Sequence, residues 1–271
     1  MAVVMKAWIK ILMVWVAGIL TIGSGWGCHK PVPREKKVIH VAAAASLINV
    51  IQQADSIFQV KFPGVKIEES FAATSILARQ LEQGAPFDVV LSANPEWINY
   101  LVAKRLMDTT SIVVFAHNSL VVISASASPP DVAVADWLLT HREQRIAIAN
   151  WHHVPAGKYA RHALKRMGIW ETVEPFLVLA VDVRAALSYV EKGHVGAGIV
   201  YYSDRLVTPE VPFAVIPKTF QPQILYEGGV TYQANAIARQ YLTFLKSPLI
   251  QQLFKQYGFL AAEEIQLQKG K

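Results

Sequence analysis

The chain has 271 residues, of which 53% are hydrophobic and 17% are charged, and its formal net charge is +6 at pH 7. This composition is too apolar and too weakly charged for a disordered chain, and the length allows one or two domains with a sizeable core. The basic residues are scattered and form no long block, so the positive charge indicates a solvated basic face and argues against nucleic acid as a partner.

The N-terminal segment, residues 1–27, predicts export. Lys6 and Lys10 precede an uncharged apolar run that begins at Ile11 and stops just before Cys28, the single cysteine of the chain. A basic start followed by an apolar stretch is typical of a signal peptide that is removed on export. A retained membrane anchor is the alternative, because the run is near the lower limit of the length that spans a bilayer. Removal would lower the net charge to +4, from 24 Lys and Arg against 20 Asp and Glu.

The position of Cys28 resembles a bacterial lipoprotein signal, in which the cysteine becomes the lipidated N-terminus of the mature chain. The lipoprotein pattern has Leu or a similar residue three positions before the cysteine, where this chain has Gly25. The resemblance implies a lipid anchor on the outer face of the cytoplasmic membrane, and ordinary cleavage would instead leave the protein free in the periplasm. Residues 28–37 are polar and contain prolines, which favours a short tether before the folded part.

From Val38 onward, strand-like and helix-like segments alternate. Strands are predicted at 38–44, 65–71, 87–94, 145–150 and 196–202, and helices at 46–62, 75–83, 95–106, 155–167 and 182–192. Asn94 is a good N-terminal cap before Pro95, and Gly84, Gly168 and Gly193 stand where helices should end. This alternation predicts an α/β protein with mainly parallel sheets flanked by helices.

Two further apolar runs, 119–126 and 222–232, are long enough to carry the chain between two lobes. On this interpretation residues 38–118 and 228–271 form lobe 1, and residues 119–227 form lobe 2. A ligand cleft is then expected between the lobes, beyond the carboxyl ends of the parallel strands.

Four predicted strand-to-helix turns, at 43–46, 71–75, 153–157 and 181–184, offer small side chains, hydroxyls or a proline before a helix N-terminus. Unpaired N–H groups at such an N-terminus favour an anion, and small side chains let the backbone approach it closely. The hydroxyls of Ser46 and of Thr74 or Ser75 are expected to donate to the anion and to help cap their helices. Tyr201 would present a phenol at the same edge. The alternative is a set of ordinary helix caps and a core tyrosine.

An enzyme is the rival class of protein, and its motifs are missing from the sequence. There is no G-x-S-x-G elbow, Cys28 lies outside the predicted fold, and His152 and His153 are adjacent, a spacing that does not place two imidazoles on one metal ion. The sequence therefore predicts a protein without catalytic residues, without a cofactor and without side chains bound directly to a metal.

Seven motifs in a fixed order carry a family resemblance. They are AAASL (43–47), FAATSILARQLEQGAPFDVVLSAN (71–94), NSLVV (118–122), HVPAGKYA (153–160), DVRAAL (182–187), GIVYYSD (198–204) and KQYGF (255–259). With these motifs the chain resembles, from about Val38 to Phe259, the molybdate-binding proteins of bacterial ABC transporters. The resemblance implies the two-lobed type II periplasmic-binding-protein fold and a tetrahedral oxyanion held by hydrogen bonds.

Carried over position by position, the resemblance implies five oxyanion ligands. Ser46 and Thr74 would bind through hydroxyl and amide, Ala156 and Val183 through backbone amides, and Tyr201 through its phenol. Similar proteins often have serine in place of Thr74. If the match to the family motif is shifted by one residue, Ser75 takes the place of Thr74 as the ligand. No acidic residue falls at these positions, which counts against hydrogen phosphate, and Asp182 is interpreted as a helix cap.

The resemblance also implies the function. The protein is expected to bind molybdate, and tungstate with it, outside the cytoplasm and to deliver the anion, as a monomer, to a membrane permease and its ATPase. Binding of another tetrahedral oxyanion, such as sulfate or thiosulfate, is the alternative within the same class of protein.

Overall fold

The structure is a computed structural model that describes residues 37–126, 134–209 and 211–261. The predicted signal peptide (1–27), the predicted lipidation site Cys28 and the tether up to residue 36 lie outside the described residues. The described part starts with the first strand, which begins at Lys37, one residue before the predicted start of the fold at Val38.

The strands, in chain order, form two sheets. They are β1 (Lys37–Ala44), β2 (Val65–Ala72), β3 (Val89–Ser92), β4 (Val113–Asn118), β5 (Leu120–Ser124), β6 (Ile146–Ala149), β7 (Leu177–Ala180), β8 (Ala197–Tyr201), β9 (Phe213–Val215), β10 (Ile224–Val230) and β11 (Leu260–Ala261). The first sheet has the order β11-β4-β10-β3-β1-β2 and the second has the order β7-β6-β8-β5-β9. The chain passes from the first sheet to the second between Asn118 and Leu120 and returns between Val215 and Ile224.

Helices flank both sheets. They are α1 (Ile48–Lys61), α2 (Thr74–Glu82), α3 (Pro95–Ala103), α4 (Val134–His141), α5 (Pro155–Arg166), α6 (Trp170–Val173), α7 (Val183–Glu191), α8 (Tyr202–Arg205), α9 (Ala236–Leu245) and α10 (Pro248–Gln256). One turn of 3-10 helix, Ala45–Leu47, joins β1 to α1. In the part of the chain that the structure describes, no helix combines the length and the apolarity that crossing a membrane requires.

The sheets are mixed, although mainly parallel sheets were predicted. In the first sheet β1 pairs in parallel with β2 and β3, whereas β10 runs antiparallel to both β3 and β4. In the second sheet β6 pairs in parallel with β7 and β8, whereas β5 runs antiparallel to β8 and β9. The antiparallel pairings of β5 and β10 arise because these strands, which follow the two passages between the sheets, run against the direction of the βαβ strands. At the edge of the first sheet, β11 also pairs antiparallel with β4.

The inner βαβ strands are buried because helices cover both faces of the sheets, whereas the edge strands β2 and β7 are only partly buried. All four residues of β6, Ile146–Ala149, are buried, as the near-continuous apolar sequence IAIA of this strand requires. The first turn of α5 packs directly on the end of β6, and a Cβ added at Gly157 would stand 2.0 Å from the carbonyl oxygen of Ala149. Only glycine fits there, and this close packing fixes where α5 begins.

Several predicted helix boundaries are confirmed. The Asn94 side chain accepts a hydrogen bond from the Trp97 backbone N–H, with an N to O distance of 3.4 Å, and Pro95 is the first residue of α3. Gly84 and Gly168 adopt positive φ angles of 94° and 74° just beyond the ends of α2 and α5. Gly193 does the same after α7, with a φ of 67°.

Candidate functional site

The two sheets meet at a cleft formed by the segments that follow their parallel strands. β1, β2 and β3 of the first sheet and β6, β7 and β8 of the second all end at this cleft, which contains about 210 Å³ of empty space, including the part open to solvent. Its lining residues are Ala44, Ala45, Ser46, Ala73, Thr74, Ala93, Val154, Pro155, Ala156, Asp182, Val183 and Tyr201. The structure thus brings together all five predicted ligand residues, Ser46, Thr74, Ala156, Val183 and Tyr201. All four predicted turns contribute to the lining.

Backbone N–H groups at helix starts are one source of hydrogen-bond donors in the cleft. The helical turns that begin at Ala45, Thr74 and Pro155 have no side-chain cap. At α7 the Asp182 carboxylate accepts from the N–H of Ala185, at 2.8 Å, which confirms Asp182 as a helix cap. The first N–H groups of a helix have no partner within the helix, so those of Ala156 and Val183 are available where these residues line the cleft.

The prediction that Ser46 and Thr74 cap their helices is wrong. The cap positions are occupied by Ala44 and Ala73, and neither turn has a side-chain cap. The two hydroxyls bond elsewhere: Thr74 Oγ1 accepts from the N–H of Ala93 at 3.2 Å, and Ser46 Oγ lies 2.8 Å from the hydroxyl of Tyr226. Both side chains are therefore held at the cleft by partners distant in sequence.

Thr74 and Ser75 differ in their surroundings. Thr74 lines the cleft, whereas Ser75 does not and instead places its Oγ 2.9 Å from Nδ1 of His153. Since Thr74 Oγ1 already accepts from the N–H of Ala93, its own proton remains available to the cleft.

Tyr201 is the last residue of β8 and is only 1% exposed. Its hydroxyl is buried and has no hydrogen-bond partner among the described residues. A buried polar atom without a partner is costly, so such an atom facing a cleft points to a ligand. Burial, reinforced by the neighbouring Tyr226, raises the pKa of Tyr201 well above its usual value, so the phenol stays protonated and acts as a donor.

An ion pair between a partly buried arginine and a fully buried aspartate lies next to the lining. Arg184 Nε lies 2.7 Å from Oδ1 of the fully buried Asp204, and Arg184 Nη2 donates to the carbonyl oxygen of Ser46 at 3.3 Å. Asp204 Oδ2 accepts from the backbone N–H of Tyr201 at 3.3 Å. Burial raises the pKa of Asp204 to about 6, and the charge of Arg184 opposes this rise. The pair connects Ser46, the start of α7 and Tyr201.

Sequence reasoning missed this ion pair. Arg184 belongs to the DVRAAL motif and follows the predicted ligand Val183, and Asp204 belongs to the GIVYYSD motif, three positions after the predicted ligand Tyr201. Their closeness in sequence to predicted ligands was the only indication of a role at the site, because a single sequence does not show that these two side chains meet.

Further contacts join the two sides of the cleft around His153. Its Nδ1 contacts Ser75, its carbonyl oxygen accepts from Nε1 of Trp97 at 3.1 Å, and nearby Lys158 forms an ion pair with Glu96. Burial, together with the charge of Arg79, lowers the pKa of His153. In the described ranges no group of three or more His, Cys, Asp or Glu side chains is arranged to hold a metal ion.

Two mixed sheets flanked by helices, with their parallel strands ending on one small cleft of hydrogen-bond donors, define the class of periplasmic solute-binding proteins. The chain belongs to the family described as bacterial extracellular solute-binding protein, whose family model matches residues 39–260. The predicted fold class and family are thereby confirmed.

Similarity to individual proteins agrees with this assignment. The chain is 39% identical over 227 residues to the molybdate-binding protein ModA of Escherichia coli (strain K12), covering 82% of this chain and 88% of that protein. It is 33% identical over 228 residues to the ModA protein of Haemophilus influenzae, covering 82% and 90%. The structure of the periplasmic molybdate-binding protein of Azotobacter vinelandii has the same fold, with a TM-score of 0.75, 22% identity and coverage of 83% and 100%.

Proposed function

We propose that this protein binds molybdate, and tungstate with it, in the cleft and delivers the anion to the permease and ATPase of an ABC transporter. Relatives with 39% and 33% identity are named molybdate-binding proteins, and the family is one of solute-binding proteins. The protein performs no covalent chemistry in this proposal and needs no cofactor, since the oxyanion is its cargo.

One observation carries the proposal: donors from five strand ends converge on one cleft, and one of them, the Tyr201 hydroxyl, is buried with no partner among the described residues. The lining residues include no lysine, arginine or histidine. An anion would therefore be held by N–H groups at helix starts and by hydroxyl protons, which are strong donors in a site screened from water.

The proposed ligands are those implied by the sequence motifs. Ser46 and Thr74 would donate from hydroxyl and backbone, Ala156 and Val183 from backbone N–H groups, and Tyr201 from its phenol. Thr74 is preferred to Ser75 because Thr74 lines the cleft and Ser75 is engaged with His153. The one carboxylate in the lining, Asp182, caps α7 through Oδ1.

We further propose that the two sheets are the cores of two lobes that close on the anion. The predicted boundary between residues 227 and 228 falls inside β10, a strand of the first sheet, so lobe 1 takes in all of β10 and lobe 2 ends before Ile224. The contacts of His153 with Ser75 and Trp97, and the bond from Arg184 to the Ser46 carbonyl, join residues of the two sides. Opening the cleft for release would break these bonds, so they favour the closed form.

A panel of oxyanions tests the function. The thermal unfolding of the purified protein is measured with molybdate, tungstate, sulfate, thiosulfate or phosphate, and the affinity for each anion is measured separately by calorimetric titration. A ligand at a hundred times its dissociation constant should add about 2.7 kcal/mol to the free energy of unfolding. Stabilisation by sulfate or thiosulfate alone would favour the alternative ligand class, and no response to molybdate or tungstate would refute the proposal. Turnover of a substrate would restore the enzyme class.

Export and attachment by a lipid on Cys28 are proposed from the sequence pattern of residues 1–28. Metabolic labelling with a fatty acid should tag the protein and should fail in Cys28→Ala. Labelling that persists in this variant would refute the anchor. The proposed monomer is checked by light scattering of the purified protein with and without molybdate.

A further inference from the structure

We infer that Tyr226, oriented by Asn118, fixes the direction of the Ser46 hydroxyl proton and so makes this side chain a dedicated donor to the bound anion. The inference rests on the proposed function and adds two positioning residues to it. Neither Tyr226 nor Asn118 belongs to the cleft lining; both lie behind Ser46 in the first sheet, on β10 and at the end of β4.

The first step is the orientation of the Asn118 amide. Its Oδ1 accepts from the backbone N–H of Ser119 at 2.9 Å, while its Nδ2 lies 2.8 Å from Ser203 Oγ and 3.3 Å from the Tyr226 hydroxyl. The reverse orientation would place the NH₂ group against the N–H of Ser119, two donors facing each other. The amide nitrogen must therefore point at Tyr226, and both of its protons are used.

The second step concerns the Tyr226 hydroxyl, whose ring is fully buried and packs edge-on against Phe115, Phe259 and Tyr201. Burial raises the pKa of Tyr226 far above its usual value, so the phenol keeps its proton. Among the described residues the hydroxyl has two hydrogen-bond partners, Asn118 Nδ2 and Ser46 Oγ. Since Asn118 donates to it, the one proton of Tyr226 goes to Ser46.

The third step follows at Ser46, whose Oγ is 2.8 Å from the Tyr226 oxygen. A serine hydroxyl that accepts from a phenol has its own proton free to bond elsewhere, and Ser46 lines the cleft while being only 2% exposed. The chain of donors thus runs from Asn118 to Tyr226 to Ser46 and ends at the anion. Each bond polarises the next one in the same direction.

Thr74 has the same arrangement through a different partner, because its Oγ1 accepts from the N–H of Ala93. The cleft therefore presents hydroxyl protons from Ser46, Thr74 and Tyr201. An oxyanion with no proton accepts hydrogen bonds from all three hydroxyl groups. An anion that carries an O–H group, such as hydrogen phosphate, would place this donor against a donor of the cleft, and neither would then have an acceptor. Tyr226 and Asn118 thus help to select fully deprotonated oxyanions.

A double-mutant cycle tests the relay, with molybdate affinity measured by calorimetry. Tyr226→Phe keeps the ring and removes the hydroxyl; we expect the dissociation constant for molybdate to rise about tenfold. In a Ser46→Ala background the same substitution should change it less than twofold, because the relay acts only through Ser46. Tyr241→Phe is the matched control, since Tyr241 is equally buried but bonds Asp55 and lies outside the cleft lining. It should leave molybdate affinity unchanged.

Asn118→Ala provides a second route if Tyr226→Phe does not fold. It releases the Tyr226 hydroxyl from its donor and should also weaken molybdate binding severalfold, again only when Ser46 is present. An equal loss in both backgrounds would show a general packing role and overturn the relay, as would unchanged affinity in Tyr226→Phe. If the unsubstituted protein binds neither molybdate nor tungstate, the proposed function itself is overturned, and the relay with it.

Discussion

Replacing Tyr201 by phenylalanine should weaken anion binding without destabilising the protein. The Tyr201 ring is 1% exposed and stays in place in the variant, so the packing of β8 is retained. The hydroxyl that is lost has no hydrogen-bond partner among the described residues, and its removal therefore breaks no known internal bond. We therefore expect lower anion affinity together with equal or higher ligand-free stability. An ordinary buried tyrosine whose hydroxyl bonds within the protein would show the reverse.

The magnitude follows from the kind of bond that is lost. A hydrogen bond to a charged group contributes about 1.5 to 3 kcal/mol, which corresponds to a dissociation constant raised about 10- to 150-fold. A buried hydroxyl without a partner costs about 1 to 3 kcal/mol, so the free energy of unfolding of the ligand-free variant should equal or exceed that of the unsubstituted protein.

Calorimetric titration with molybdate measures the first effect, and urea unfolding without ligand measures the second. Tyr241→Phe gives the opposite pattern, because it deprives the buried carboxyl group of Asp55 of a donor at 2.5 Å: stability should fall and affinity should not change. Unchanged molybdate affinity in Tyr201→Phe would refute the assignment of this phenol as a ligand. A clear loss of ligand-free stability would show that the hydroxyl has an internal partner.

Two further predictions concern the site and its support, and a third concerns the buried Asp55, which lies outside the cleft lining. Thr74→Val should weaken molybdate binding about tenfold, whereas Ser75→Ala should change it by less than threefold; a larger effect at Ser75, in the same titration, would reverse the assignment. Arg184→Met leaves the buried Asp204 carboxylate unpaired and should cost about 3 to 5 kcal/mol of unfolding free energy at pH 8, and less at pH 5, where that carboxyl is protonated. Burial raises the pKa of Asp55 from 3.8 to about 8, so the native state binds the extra proton and loses stability as the pH rises through that window. Asp55→Asn should therefore gain several kcal/mol relative to the unsubstituted protein between pH 5 and pH 8 in urea unfolding, and a difference independent of pH would contradict the shift.

The sequence by itself determined the local features of this protein. The spacing of apolar residues predicted the strands and helices that lead to the cleft, and glycines such as Gly84 indicated helix ends. Both predictions succeed because they depend only on residues close together along the chain. Small residues and hydroxyls at strand ends located Ser46 and Thr74, and the rule that ligands bind at the carboxyl ends of parallel strands connected them.

The tertiary structure alone decided which residues stand behind the proposed ligands. The direction of β10 in its sheet depends on the path of the whole chain, so the mixed pairing could not be predicted from local periodicity. The same holds for the partner of Ser46, which is separated by 180 positions from Tyr226. The difference between Thr74 and Ser75 also depends on the tertiary structure, since the sequence offers two adjacent hydroxyl groups and no means of telling which one faces the cleft. One becomes a cleft residue and the other a contact to His153 only when the two sheets are placed side by side.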